Sequence, residues 1–117
     1  ELFAGYIPQL YQFLANESLR EQTLQTIGRI AKSRPDLIRK VTFHFIPYLG
    51  DSDPKSRGYA AWLMGNLYAA EAQDELKNLR EDSNDIYIYE NGEMEKKTVG
   101  QVASEALIKI SEQKPLH

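Results

Sequence analysis

Residues that could carry out catalysis or bind a metal are few and scattered in this 117-residue sequence. There is no cysteine, and the two histidines, His44 and His117, stand too far apart to form a metal site of their own. His44 lies between Phe43 and Phe45, with no serine or carboxylate at the spacing of a catalytic triad, which is typical of a surface or core-edge histidine. No segment contains a phosphate-binding loop or a nucleophile elbow. The sequence therefore predicts a protein that is not an enzyme and that uses neither a cofactor nor a metal.

Three glutamates, Glu90, Glu93 and Glu95, cluster around the dipeptide Asn91-Gly92. Carboxylates at this density could form a cation site. Adjacent glutamates at a hairpin also keep an exposed sheet edge soluble, and this is the interpretation that we favour.

The composition narrows the class of protein. A hydrophobic content of 42% is typical of a soluble domain that buries a core without disulfide bonds. With 14 Lys and Arg against 17 Asp and Glu, the formal charge of -3 disfavours nucleic-acid binding through a basic surface. The apolar runs are too short for a membrane span or a signal peptide, so we expect a cytoplasmic protein. Because the first residue is Glu1 rather than Met, we expect the single domain of residues 1–117 to be part of a larger protein.

Apolar residues spaced three and four apart predict amphipathic helices along most of the chain. The expected helices cover residues 2–14, 16–32, 36–48, 53–69, 71–80 and 98–112. Asn16 and Asp53 are suited to cap the second and fourth of these helices, and Thr98 with Gln101 has the pattern of a capping box.

Near residue 86 the helical spacing of the apolar residues ends and a pattern typical of strands begins, which predicts a β-hairpin. Ile86-Tyr87-Ile88-Tyr89 has the β-branched and aromatic content of a strand, and Asn91-Gly92 is a strong two-residue turn signal. This turn would pair Tyr89 with Met94 and Tyr87 with Lys96, which places both tyrosines on one face.

The helical pattern repeats. An offset of 37 residues aligns Arg20 with Arg57 and Gly28 with Gly65, together with the apolar positions between them. An offset of 43 aligns the last helix less well, with Gly100 at the arginine position. Similar helices at a period of about 40 residues predict a helical solenoid.

The segment with Asp51, Asp53, Arg57, Ala60-Ala61, Leu63-Met64-Gly65 and Leu67, followed by Glu71-Ala72, Leu76 and Leu79, resembles HEAT repeats, in particular those named after phycobilisome lyases. The resemblance implies an all-α fold, a right-handed α-α superhelix of about six helices, with a small β-hairpin insertion near residues 86–97. Its parts would be a leading second helix (2–14), two repeats (16–49 and 53–81), the insertion (85–97) and a first helix (98–112). It also implies that Arg20 and Arg57 pair with aspartates of a neighbouring repeat.

In HEAT-like arrays the second helix of each pair lines the concave face. Carried over to this chain, the resemblance implies a partner-binding surface that combines cations, amides and phenylalanines: Gln9, Gln12, Phe13, Arg39, Lys40, Phe43, Gln73, Lys77 and Arg80. Such a surface suits a protein or peptide of acidic character. The alternative is an ordinary solvated face with one buried phenylalanine on each helix.

Trp62 has the polar counterparts Gln25 and Glu105 in the other helices, so we expect it to face away from the core between repeats. Tyr59 lies on the same stripe of the helix. One hypothesis is an exposed Trp–Tyr pair that contacts a partner, with Tyr87 and Tyr89 of the hairpin as further candidates for partner binding. The other is that Tyr87 or Tyr89 of the hairpin covers Trp62. Gly28, Gly58 and Gly65 are interpreted as sites of close packing rather than hinges.

The leading hypothesis is a non-catalytic scaffold that binds a protein partner on its concave face. We also consider two alternatives. One is a lyase-like protein that attaches a chromophore, which rests on the name of the subclass alone. The other is a nucleic-acid-binding HEAT module. Because the last helix lacks its pair, we further expect an open apolar flank that could support self-association.

Overall fold

The computed structural model describes residues 7–112, with side chains for all of these except residues 7, 8 and 11. This part of the chain is mostly helical, with one two-stranded antiparallel sheet. The α-helices are α1 (Ile7–Ala15), α2 (Glu17–Ser33), α3 (Pro35–Ile38), α4 (Pro54–Asn66), α5 (Gln73–Asn78) and α6 (Val99–Glu112). Three 3₁₀ segments cover Arg39–His44, Ile46–Gly50 and Ala70–Ala72, and the strands are β1 (Asp85–Glu90) and β2 (Glu93–Thr98). Residues 2–6 of the first predicted helix lie outside the described residues.

The predicted helix caps are confirmed. The Asn16 side chain accepts a hydrogen bond from the Ser18 amide at 2.9 Å, and Asp53 caps α4 through the Lys55 amide at 3.2 Å. At the start of α6, the Gln101 amide donates to Thr98 Oγ1 at 3.0 Å and the Thr98 amide donates to Gln101 Oε1 at 2.8 Å. These bonds satisfy amides that have no partner inside the helix, so the starts of these three helices are determined locally.

The prediction of one helix over residues 36–48 is wrong, because α3 ends at Ile38 and the chain continues in 3₁₀ turns. Pro47 provides no backbone N–H, and its ring is incompatible with an α-helical carbonyl four residues earlier. Val41 has non-helical angles (φ -115°, ψ 17°), and the hydroxyl of Thr42 donates to the carbonyl of Arg39 at 2.7 Å. A hydroxyl that bonds the local backbone competes with the α-helical ladder.

Two other helices are shorter than predicted. The helix expected over 71–80 is a 3₁₀ turn followed by α5. Helix α4 ends at Asn66 rather than 69, because Tyr68 takes a left-handed conformation with φ 52°. The Tyr68 amide bonds the carbonyl of Gly65 and the Ala69 amide bonds that of Met64, which is the Schellman pattern that terminates helices.

Helix α4 is the centre of the fold. It packs between α2 and α6 and also contacts β1 and the 3₁₀ segment Ile46–Gly50. As a result, Ser56 and all residues from 58 to 66 are buried. A helix buried on every side needs small residues where its neighbours approach, and Gly65 provides one, since a Cβ there would lie 3.0 Å from Ala106. The order α2–α4–α6 is that of successive first helices in a helical solenoid, whereas the right-handed superhelical curvature stays a prediction.

Two arginines join successive helices through their aspartate partners. Arg20 binds Asp51 at 2.9 Å, and Arg57 binds Asp82 at 2.9 Å, with both side chains of each pair mostly buried. Arg57 also donates to the backbone carbonyl of Asp51 at 2.9 Å. The series stops at Gly100, where a Cβ would lie 2.4 Å from the carbonyl oxygen of Arg80, so no side chain fits.

The hairpin has the predicted register, with Tyr89 opposite Met94 and Tyr87 opposite Lys96. Asn91 and Gly92 have φ of 55° and 80°, as a type I′ turn requires. Ile86 and Ile88 are buried on the inner face. A Cβ on Gly58 would lie 2.4 Å from Ile86 Cδ1, so this glycine of α4 makes room for the strand.

Candidate protein-interaction surfaces

Phe43 is the most exposed of the large apolar side chains in the described part of the chain, at 64%. It lies in the 3₁₀ segment Arg39–His44, three residues after Lys40. Its ring contacts that of His44 with centroids 4.5 Å apart. The alternative of a buried phenylalanine does not hold at this position.

The cations predicted for the same surface have different environments. Arg39 donates from Nη1 to the carbonyl of Leu67 at 2.8 Å and lies 3.8 Å from a carboxylate oxygen of Glu71. It therefore supports the C-terminal end of α4, where carbonyls lack helical partners. Lys40 and Lys77 are exposed and form no ion pair with any described residue. Their ammonium groups therefore contribute positive charge to the predicted surface.

Phe13 lies in a different setting. Together with Leu10 of α1 it lines a groove of about 340 Å³ against Leu19, Thr23 and Ile30 of α2. Phe43 is not among the residues that line this groove. Most of the residues that line this groove are apolar. On α6, Ile108 is the one large apolar side chain that is exposed among the described residues.

Tyr59 and Trp62 are each only 6% exposed, so the hypothesis of an exposed Trp–Tyr pair is wrong. The Tyr59 hydroxyl donates to the backbone carbonyl of Tyr87 at 2.6 Å, and burial raises the pKa of this hydroxyl. Trp62 Nε1 donates to Glu90 Oε2 at 3.1 Å. The hairpin does cover Trp62, but the hydrogen-bonding partner is Glu90 rather than either tyrosine ring.

Glu90 is a structural residue that the sequence interpretation missed. Its carboxylate also accepts from Lys32 Nζ at 2.9 Å, which ties the hairpin tip to α2. Burial raises the pKa of Glu90, but the hydrogen bonds from Lys32 and Trp62 outweigh it and leave the pKa below the ordinary value. The inward position of Glu90 could have been predicted from the sequence. Side chains alternate between the two faces of a strand, so residue 90 lies on the same inner face as Ile86 and Ile88.

The outer face of the hairpin carries three large apolar side chains. Tyr87, Tyr89 and Met94 are each more than half exposed, and Lys96 lies opposite Tyr87. Since Tyr89 and Met94 are directly opposite each other, they form a continuous patch. We call Tyr87, Tyr89, Met94 and Lys96 the hairpin patch. The sequence interpretation named the two tyrosines but not Met94 as a candidate for partner binding.

Residues 7–112 show neither a metal-binding cluster nor a membrane-spanning helix. Those residues contain no group of three or more His, Asp or Glu side chains placed to hold a metal ion. No described helix is both long enough and apolar enough to cross a membrane.

Comparison with known proteins gives one match. Residues 17–67 match the family model described as a HEAT-like repeat, which confirms the HEAT-repeat prediction for α2 through α4. The phycobilisome-lyase subclass stays a prediction. Searches of curated proteins and of solved structures found no match.

Proposed function

We propose that the protein is a non-catalytic scaffold that binds a protein partner through the second-helix side of a short HEAT array. The proposal starts from the match of residues 17–67 to the HEAT-like repeat model. HEAT repeats generally mediate protein interactions and are generally not enzymes. We propose further that this side forms the concave face of a right-handed superhelix.

The exposure of Phe43 is the observation that carries the proposal. A phenylalanine that is 64% exposed leaves apolar area in water, and its burial by a partner would gain about 25 cal/mol per Å². Exposed aromatic side chains with cationic neighbours are typical anchors of protein interfaces. Lys40, three residues before Phe43, and Lys77 are exposed and add positive charge for which no ion pair with a described residue is present. The proposed partner therefore presents an apolar pocket bordered by acidic side chains.

The hairpin patch is a second candidate surface for a partner. Tyr89 also borders a cleft lined by Arg29 and Lys32 of α2, so aromatic and cationic groups are adjacent here as well. The two surfaces can be separated experimentally, because their side chains belong to different elements and can be substituted independently.

Affinity capture from cells of the source organism, followed by titration of the captured protein, tests the proposal. Because Phe43 is exposed, Phe43→Ala should leave the free energy of unfolding within about 0.5 kcal/mol of the wild type. We expect it to weaken the partner's Kd by about 10- to 30-fold, which is the usual effect at a hot spot.

The double variant Tyr87→Ser/Tyr89→Ser is the matched control, since it removes exposed aromatic rings elsewhere. Binding lost in the hairpin variant and retained in Phe43→Ala would move the binding surface to the hairpin patch. Binding retained in both would contradict the proposal.

A further inference from the structure

Strand β2 has an outer edge, and two hydrogen bonds of the hairpin show which backbone groups point away from the ladder. In an antiparallel pair, opposite residues alternate between exchanging both backbone hydrogen bonds and exchanging none. The carbonyl of Tyr87 accepts from the Tyr59 hydroxyl at 2.6 Å, and the amide of Thr98 donates to Gln101 Oε1 at 2.8 Å. Tyr87 and Thr98 therefore belong to pairs of the second kind, whose backbone groups point outward.

The same alternation assigns the middle of β2. Tyr87 lies opposite Lys96, and Tyr89 lies opposite Met94 two positions further along the ladder. Both pairs are of the kind that exchanges no backbone hydrogen bond. The amides and carbonyls of Met94 and Lys96 thus point outward, with the two residues about 7 Å apart along the strand. No hydrogen bond from a described residue reaches these four groups.

The two edges of the sheet differ in what covers them. Helix α4 contacts β1, and its Tyr59 bonds the outward carbonyl of Tyr87. On β2, residues 93–96 are all exposed, so both faces of this strand are open to solvent near the turn. The edge of β2 therefore offers two amides, two carbonyls and the space for a further strand.

An added strand would also extend the hairpin patch. The side chain of Met94 is 62% exposed and lies on the same face as Tyr87 and Tyr89. A residue directly opposite Met94 on an added strand would have its Cβ about 5 Å away, so an apolar side chain there would cover Met94. A partner helix could cover the patch but would leave the four outward backbone groups unpaired, because its own backbone groups bond each other. An extended strand satisfies both.

The charges of β2 narrow the partner further. Glu93 is exposed and forms no ion pair with a described residue, and Glu95 has only a contact of 3.8 Å with Lys97. Lys96 lies 3.6 Å from Asp85 in an exposed pair, which leaves its ammonium group available. Opposite charges on directly facing residues stabilise a pair of strands. From its N-terminus, an antiparallel partner strand would carry an acidic, a basic, an apolar and a basic residue, opposite Lys96, Glu95, Met94 and Glu93 in turn.

A second copy of β2 matches this edge poorly. Antiparallel self-pairing of the two outward-pointing residues is centred on residue 94, 95 or 96. These registers place Glu93 opposite Glu95, Glu95 opposite itself, or Lys96 opposite itself, and like charges that face each other are destabilising. The compensating Glu–Lys pairs of the last two registers need Lys97, which already binds Glu105 at 2.8 Å. The charges therefore favour a strand of different sequence.

We propose that the free edge of β2 binds an extended segment of a partner protein by strand addition, which converts the hairpin into a three-stranded sheet. Backbone hydrogen bonds with Met94 and Lys96 would hold the segment, and the facing side chains would select it. This inference gives the hairpin patch a defined mode of binding. It does not rest on the proposed function of the Phe43 surface, which lies on a different element.

A synthetic hexapeptide of the order Thr-Glu-Lys-Val-Lys-Thr, acetylated and amidated at its ends, tests the proposal with the 117-residue chain. Its valine would lie opposite Met94 and its glutamate opposite Lys96. Because only four backbone groups of β2 take part, calorimetry should give a Kd between about 10 μM and 1 mM. At saturating peptide, hydrogen exchange of the Met94 and Lys96 amides, measured by NMR, should slow at least about threefold.

Modified peptides are the matched controls. A methyl group on the valine nitrogen removes the hydrogen that would bond the Met94 carbonyl, so binding should weaken at least about tenfold. A methyl group on the nitrogen of the first lysine would point away from β2, so the Kd should stay within about threefold. The peptide in which glutamate and lysine exchange places should bind at least about fivefold more weakly, because each charged pair becomes a like-charge pair.

A proline variant tests the protein side of the contact. Lys96→Pro removes an outward amide that the ladder does not use, and edge strands tolerate proline at such positions. It should weaken peptide binding at least about tenfold, whereas Lys96→Ala keeps the amide and should cost about fivefold at most. Circular dichroism and melting check the fold. If Lys96→Pro unfolds, the two N-methylated peptides decide the question with the wild-type chain.

Three results would overturn the proposal: no binding of the hexapeptide up to about 1 mM, equal affinities of the two N-methylated peptides, or unchanged exchange of the Met94 and Lys96 amides at saturating peptide. Phe43→Ala is the control for the other surface, and it should bind the hexapeptide like the wild type. Failure here leaves the proposed function intact, because that function is measured with the captured partner and the Phe43→Ala variant.

Discussion

Gly28 of α2 leaves space for a large side chain of α4 in the next repeat. A Cβ on Gly28 would lie 2.5 Å from Trp62 Cζ3, so the missing side chain is the space that the indole ring occupies. The backbone carbonyl of Gly28 also accepts a hydrogen bond from Asn66 Nδ2 at 3.1 Å. Gly28 therefore allows α2 and α4 to approach closely, makes room for the buried Trp62 ring and accepts the hydrogen bond of the Asn66 amide.

We expect Gly28→Ala to destabilise the protein by about 1–3 kcal/mol, because a rigid indole ring must move to admit the methyl group. This cost opposes the gain of about 1 kcal/mol that alanine brings to a helix. Urea denaturation followed by Trp62 fluorescence measures it, since Trp62 is the single tryptophan of the chain. Gly50→Ala is the control, because a Cβ there meets no atom within 4 Å. Equal stabilities of the two variants would contradict the steric argument.

The hairpin is the element that an ordinary helix pair lacks, and its contacts explain how it is held. An isolated two-stranded sheet is marginal in water. Here Ile86 and Ile88 are buried on the helices, and Lys97 binds Glu105 of α6 at 2.8 Å. At the tip, Glu90 bonds both Lys32 and Trp62. The hairpin therefore contacts all three first helices and covers the indole.

The contacts of Glu90 predict acid sensitivity of the hairpin. Its folded-state pKa lies below the ordinary value of 4.5, because the hydrogen bonds favour the carboxylate. The stabilisation is thus complete above the unfolded-state pKa and is lost as the pH falls through the lower folded-state pKa.

Glu90→Gln removes this titration, so it is the matched reference. The difference in unfolding free energy between wild type and Glu90→Gln should be largest near pH 7 and should shrink as the pH falls below about 4.5. Denaturation curves at several pH values, read by Trp62 fluorescence, measure this difference. A constant difference from pH 7 to pH 3 would exclude Glu90 as the acid-sensitive contact.

At the scale of the whole molecule, the stack is held by one apolar core and by the two arginine–aspartate pairs. Asp51 links two units, since its carboxylate binds Arg20 and its carbonyl accepts from Arg57. Burial raises the pKa of Asp82, but the hydrogen bonds from Asn84 and from Arg57 together outweigh it and hold the pKa below its ordinary value. These pairs therefore fix how one helix pair sits on the next.

We expect Arg57→Ala to cost about 1.5–3 kcal/mol of stability, because it leaves the mostly buried Asp82 carboxylate and two backbone carbonyls without a charged donor. The matched control is Lys96→Ala. Lys96 and Asp85 lie 3.6 Å apart and both are about half exposed, so this change should cost no more than about 0.5 kcal/mol. Thermal and urea unfolding compare the two variants. If Arg57→Ala is as mild as Lys96→Ala, the pairs do not stabilise the stack.

Most of the fold could be predicted from the sequence, because its signals act over a few residues. The caps at Asn16, Asp53 and Thr98 depend on bonds that span two or three positions. The Asn91-Gly92 turn fixes the hairpin register through backbone angles alone. The glycines at the helix crossings were recognisable because the repeat places Gly28 and Gly65 at equivalent positions. The helix break after Ile38 also has local causes, namely Pro47 and Thr42. The apolar spacing of residues 36–48 predicted one continuous helix, and the effect of these two residues on the backbone is stronger than that pattern.

The candidate binding surfaces follow from the tertiary structure, because the exposure of a side chain depends on which other segments pack on it. Trp62 occupies a position that is polar in the other copies, and only the return of the hairpin over α4 buries it against Gly28 and Glu90. Phe13 and Phe43 look alike in sequence, yet one lines the α1–α2 groove and the other is exposed on a 3₁₀ turn. The sequence by itself determined the helices, their caps and their repeat, since these follow from local bonds and periodicity. The fold alone determined which apolar side chains remain uncovered, since that depends on contacts between segments far apart in the chain.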